Sequence, residues 1–220
     1  MTLILASASP RRRALLEQIG VTFAVECSCV AEEINPAMPP EEVVQQLALQ
    51  KAAAVAANHQ EGLVLGADTV VVNEGHLMGK PGSEAEAAEM LRGLSGRWHQ
   101  VMTAVALVDA SGQKAPWVSV EKTEVKFRDL KEADIAAYVA TGESMDKAGA
   151  YGIQGYGALL VEKIEGCYFN VVGLPLQKVA TGLRNWGINL YAYNSLQNEG
   201  ISALCPSAGT DGDAGSGAAH

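Results

Sequence analysis

The stretch LILASASPRRRALLEQIG, residues 3–20, passes from an apolar run to an amphipathic one through two serines, a proline and three adjacent arginines. Ser9 suits a helix N-cap and Pro10 the first helical position. The first-turn N–H groups of a helix are unpaired and its dipole is positive there, which favours an anion. Cations at that end cost about 0.3–1 kcal/mol each when exposed. Three arginines therefore mark either a solvated basic patch or a bound anion. Spacing separates them. Arg12, Leu15, Leu16 and Ile19 follow i, i+3, i+4, i+7, so Arg12 lies on the apolar stripe, where a charge needs a partner. Arg13 lines up with Glu17 at i+4, nearer solvent, and Arg11 sits on the other flank. Arg12 leads as a phosphate contact, with Arg11 second.

Asp68 stands inside LVLGADTVVV, an otherwise apolar strand at 63–72. A carboxylate there is costly unless it is paired or metal-bound, so it is a structural cap, a metal ligand or a general base. Gly66, two residues earlier, permits close approach of another group to the backbone. Glu32 and Glu33 follow a strand and are either its metal-binding partners or an acidic loop. Lys51 interrupts an alanine-rich helix and Lys80 sits in GKPG; lysines at such positions usually face solvent. His99, at the opening of a strand, reads as structural. The segment TGESMDKAGAYGIQG, 141–155, concentrates Glu143, Asp146, Lys147 and Gln154 among glycines. Gln154 both donates and accepts, which suits the edge of a base. Long polar loops of this kind often carry function.

The elements that must hold these residues follow from periodicity. Strands are expected at 3–7, 21–30 and 63–72, and helices at 10–19 and from Pro40 to about Asn58. The second of these has Glu41 and Glu42 in its first turn. Ser83 and Glu86 form a capping box for a helix at 83–94. HQVMTAVALVD and WVSVEKTEVKF, joined by ASGQK, read as an antiparallel hairpin. A short helix at 131–140, a strand–turn–strand over ALLVEKIEG and CYFNVVG, and a helix from Pro175 to about Trp186 complete the pattern. Crossover helices together with a hairpin imply an α/β fold with a mixed sheet. Residues 1–190 form the domain; the Gly/Ser/Ala-rich 191–220 reads as a tail too polar to order itself.

Composition narrows the function. Hydrophobic residues make up 48% and charged residues 19%, with a net charge of −9. An acidic chain lacks the basic footprint of a nucleic-acid binder, so any basic site is local. No run reaches the roughly 20 apolar residues of a membrane helix. No signal-peptide pattern opens the chain, which makes a cytoplasmic location the expectation. Cys27, Cys29, Cys167 and Cys205 contain no C-x-x-C pair and read as reduced thiols.

Six motifs, SASPRR, GADTVV, KP, LSGRWHQVMTAVAL, DKAGAYGIQG and NVVGLPL, occur in one order and spacing. Together they resemble the Maf family of nucleoside triphosphate pyrophosphatases over residues 3 to about 188. The resemblance implies a Maf/ITPase-like α/β fold, a mixed twisted sheet with flanking helices and two lobes around a central cleft, often as a homodimer. It implies hydrolysis of a nucleoside triphosphate to monophosphate and pyrophosphate with a divalent cation, Mg²⁺ or Mn²⁺. It assigns Asp68 as general base and metal ligand, with Glu33 a less secure second ligand. It places Ser7, Arg11, Arg12, Lys51 and Lys80 toward the phosphates. Arg12, Thr69 and Gln154 resemble the subgroup acting on dTTP and UTP. The alternatives are a pyrophosphatase for purine or modified nucleotides such as 7-methyl-GTP, and a non-enzymatic, nucleotide-sensing regulator of cell division.

Overall fold

The computed structural model describes residues 2–28, 30 and 38–191. Glu32, Glu33, Cys29, Cys205 and nearly all of the 191–220 segment lie outside the described residues. In chain order the elements are β1 (Leu3–Leu5), α1 (Pro10–Gln18), β2 (Ala24–Val25), α2 (Pro40–Ala56), β3 (Leu63–Asn73), β4 (His76–Met78), α3 (Glu84–Leu94), β5 (Trp98–Asp109), β6 (Trp117–Phe127), α4 (Glu132–Val139), β7 (Val161–Glu165), α5 (Tyr168–Val172) and α6 (Leu176–Asn185). Short 3-10 turns occupy Ala148–Ala150 and Gly155–Leu159.

The strands form one mixed sheet of order β2-β1-β3-β5-β6-β7, with β4 beside β3. β1 runs parallel to β2 and β3, and the remaining pairs are antiparallel. The mixed sheet and the β5–β6 hairpin are as the sequence implies. Two differences stand out. The turn-rich NEGHLMGKPG contains β4, folded back on the end of β3. CYFNVVG is not a strand: residues 168–172 form α5, ended by Gly173 at φ 121°. β propensity measures fit to a pleated, half-buried surface, and tertiary contacts override it. Here the override is Asn170. It is fully buried, and its Nδ2 donates to Val101 O and to Thr123 Oγ1, each at 2.9 Å. A helical turn is what brings that side chain onto strands β5 and β6.

The alternation of the strands gives the sheet two apolar faces. On one, Leu5, Leu65, Val105, Leu107 and Phe127 pack with Leu16, Leu91, Leu94, Ile135 and Leu183. On the other, Ile4, Val64, Val70, Met102 and Ala104 pack against Val44, Ala48, Ala52 and Val55 of α2. Asp68 shares the parity of Val64 and Val70, whereas Thr69 shares that of Val71. Adjacent residues thus face opposite layers.

Pairing along β3 is uneven. β5 accompanies it from Leu63 to Val72. On the other side β1 covers only 63–65 and β4 only 71–73, so among the described residues 66–70 have no strand partner there. Gly66 begins this gap and sits under α2. A Cβ on it would collide with Ala48 O and would lie 2.8 Å from both the N and the Cβ of Ala52. Backbone atoms cannot move aside as a flexible side chain can. Gly66→Ala is expected to lower stability by about 1–3 kcal/mol, measured by urea unfolding.

Candidate active site

The gap in β3 opens into a cleft of about 910 Å³. Residues 6–12 after β1, Lys51 of α2, 68–71 of β3, 77–80 around β4, the 143–155 loop and 171–173 at the end of α5 line it. Among the described residues, five basic side chains (Arg11, Arg12, Lys51, Lys80 and Lys147) meet three acidic ones (Asp68, Glu143 and Asp146) in that lining. The described lining is therefore net cationic on a protein of net charge −9.

Ser9 caps α1: its Oγ accepts from Arg12 N at 3.5 Å, and Pro10 takes the first turn. The arginines diverge as their spacing predicts. Arg13 Nε bonds Glu17 at 2.7 Å on the exposed side. Arg11 approaches Asp146 at 3.7 Å. Arg12 turns inward and forms a fork: Nε donates to Gly173 O at 2.8 Å, Nη1 to Ser7 Oγ at 3.3 Å and Nη2 to Thr69 Oγ1 at 3.0 Å. The planar guanidinium suits three fixed acceptors in a way a lysine ammonium does not. Gly173 turns its carbonyl to Arg12 at the positive φ that ends α5. Ser7 Oγ also accepts from Ser9 N at 3.2 Å. With both lone pairs engaged, the hydroxyl proton is what Ser7 offers to an acceptor.

Asp68 and Lys51 form an ion pair through Oδ1 and Nζ, with side chains 10% and 15% exposed. The tight α2–β3 contact at Gly66 creates this pair: the helix that rests on Gly66 carries Lys51 over the carboxylate two residues along the strand. Lys80 is exposed at the cleft rim and Gln154 is exposed in the opposing loop. That loop is braced from within. Lys147 Nζ donates to Glu143 O at 2.5 Å and to Asp146 Oδ1 at 2.6 Å. Desolvation pushes the Asp146 carboxyl up, but Lys147 and Arg11 outweigh it and leave it below the ordinary value. The Glu143 carboxylate accepts from Tyr156 N at 3.3 Å and Gly157 N at 3.4 Å, closing the loop just past Gln154.

The structure thus brings Ser7, Arg11, Arg12, Lys51, Asp68, Thr69, Lys80 and Gln154 to one cleft. Glu33 lies outside the described residues. Sequence reasoning missed Thr103, Asn170 and Gly173. Thr103 and Asn170 are isolated polar residues in apolar runs, MTAVAL and FNVV, and that was the available signal.

His99 supports the cleft wall from behind. It is 3% exposed, and its Nε2 lies 2.7 Å from the hydroxyl of Tyr151, a cleft residue. Phe127 packs edge-on against it.

Fold and site together define an α/β protein with an acidic residue set among cations in a cleft sized for a nucleotide. Residues 2–186 match the family described as Maf-like protein, and the chain belongs to it. It is 52% identical over 185 residues to a dTTP/UTP pyrophosphatase of Geobacillus sp. (strain WCH70), covering 84% of this chain and 98% of that one. It is 54% identical over 189 residues to a dTTP/UTP pyrophosphatase of Moorella thermoacetica, covering 86% and 97%. The solved HAM1 protein from Coxiella burnetii is 16% identical over 84% of this chain and 99% of its own, with a TM-score of 0.47.

Burial pulls the His99 pKa down from 6.5 to about 4. An unfolded histidine takes up a proton near pH 6.5 that the folded one refuses until about pH 4. Stability is then full above pH 6.5 and falls as the pH drops, by about 2 kcal/mol at pH 5 from this residue. Urea unfolding of wild type and His99→Gln from pH 7 to 4.5 should show that the variant loses this part of the slope.

Proposed function

We infer that this chain hydrolyses nucleoside triphosphates, dTTP and UTP in preference, to the monophosphate and pyrophosphate. The observation that carries the reading is Asp68, a largely buried carboxylate that lines the cleft at the gap in β3, pairs with Lys51 and shares the lining with Arg11, Arg12 and Lys80. A triphosphate needs its charge neutralised, its α-phosphorus held in line with a water, and a base for the proton that water loses. Lys51, Lys80 and Arg11 meet the phosphates, and Ser7 donates its hydroxyl to a phosphate oxygen. Asp68 accepts the proton as the water oxygen bonds to the α-phosphorus. The α–β anhydride bond breaks, and the bridging oxygen leaves with pyrophosphate. Arg12, Thr69 and Gln154 face the nucleoside. The dTTP/UTP activity in the names of the relatives supports the base preference.

A divalent cation fits this donor set. Among the described residues no three His, Cys, Asp or Glu side chains cluster to hold a metal by themselves. Mg²⁺ commonly needs only one or two carboxylates, because substrate phosphates complete its shell. Asp68 would be the ligand from β3, with Glu33 as the proposed second. When bound, the cation adds charge neutralisation at the phosphates.

Pyrophosphate release from a nucleotide panel, with Mg²⁺ or Mn²⁺, tests the reading. dTTP and UTP are expected to exceed dGTP, ITP and 7-methyl-GTP; equal or faster turnover of the purines overturns the base preference. Asp68→Asn should lower turnover about a hundredfold or more, the scale of a lost acid–base group. Near-wild-type turnover removes Asp68 from that role. Arg12→Lys, which cannot reproduce the fork, should raise KM for dTTP by about tenfold.

A further inference from the structure

The Thr69 hydroxyl, half-buried at the cleft, opens a chain of hydrogen bonds that runs into the core with one consistent direction. Thr103 Oγ1 lies 2.9 Å from Asn170 O, a carbonyl that can only accept, so the single hydroxyl proton of Thr103 goes there. Thr69 Oγ1 and Thr103 Oγ1 are 3.0 Å apart. With its proton already committed, Thr103 accepts in this contact and Thr69 donates. Thr69 meanwhile accepts from Arg12 Nη2 at 3.0 Å. One lone pair remains on Thr69, and Thr69 lines the cleft, whereas Thr103 is fully buried and does not. The hydroxyl therefore reaches the cleft as an acceptor only.

We propose that Thr103 is a positioning residue that fixes the proton direction of Thr69, making Thr69 select a pyrimidine whose ring N3 carries a hydrogen. This rests on the dTTP/UTP reading above and says how the site would reject cytosine. Thymine and uracil present N3–H, a donor matched to the free lone pair. Cytosine presents a bare N3 lone pair, which faces another lone pair and loses its solvation without a partner. Thr69 cannot turn its proton toward cytosine while Thr103 holds it. The Thr103–Asn170 contact is in turn rigid, because Asn170 is anchored to Val101 O and Thr123 Oγ1.

The test is the ratio of kcat/KM for dTTP over dCTP in the full chain. Thr103→Val keeps the branched shape, and Asn170 O retains its bond from Gly173 N at 3.0 Å, so the fold should persist. Without an acceptor at 103 the Thr69 proton is free to rotate, and the ratio should fall about tenfold or more. Thr103→Ser, which restores the hydroxyl, should keep the wild-type ratio. The dTTP:UTP ratio should not move in either variant, since both bases carry N3–H. If T103V does not fold, T103A reads the same ratio. An unchanged dTTP:dCTP ratio in the hydroxyl-free variant overturns the assignment. So does an equal loss in T103S, which would make the effect one of packing. A wild type with no preference for dTTP over dCTP overturns the base preference and the Thr103 role together; a preference that survives loss of the hydroxyl overturns Thr103 alone.

Discussion

Strand β3 is paired along nearly all its length by β5 and, among the described residues, left without a strand partner over 66–70 on the other side. The site depends on this interruption. In a continuously paired strand, residues 68 and 69 would point into opposite layers and no ligand could touch both. Because β1 stops at Leu5 and β4 covers only the far end, the edge of β3 is open where Asp68 and Thr69 stand. A group seated at that edge reaches one face through Asp68 and the other through Thr69. The proposed acid–base residue and the proposed recognition residue are separated by the thickness of one strand.

Each side of the gap has its own support. On the α2 side, the absence of a side chain at Gly66 lets the helix backbone settle onto the strand, and Ala48 and Ala52 keep the contact close. That proximity sets Lys51 over Asp68. On the other side, the Arg12 fork joins α1, the segment after β1, β3 and the end of α5 through Gly173 O, Ser7 and Thr69. Arg12 Nε, Nη1 and Nη2, Thr69 Oγ1, Thr103 Oγ1 and Asn170 Nδ2 each have a partner, while Asn170 Oδ1 has none among the described residues. A buried network of that kind holds one geometry, because a half-satisfied alternative leaves unpaired groups in a low dielectric.

Much of this was legible in the chain. The divergence of Arg11, Arg12 and Arg13 followed from helical spacing alone, since a turn of 3.6 residues assigns each position a face. Ser9 and Ser83 were readable as caps because the capping bond is local. Asp68 was conspicuous because an ionised group in an apolar strand needs a reason. The short helix at 168–172 was misread because its residues, Tyr, Phe and two Val among them, favour a strand. Its conformation is set by where Asn170 finds partners, on strands about 50 to 70 residues away in sequence.

The sequence by itself determined most element types, the cationic turn, the isolated carboxylate and the family motifs, all properties of neighbours within a few residues. Only the tertiary structure decided the gap in β3, the pairing of Lys51 with Asp68 and the chain from Arg12 through Thr69 and Thr103 to Asn170. Those depend on register and close approach between segments far apart in the chain. Periodicity tells which face a residue occupies, but not what is brought against that face.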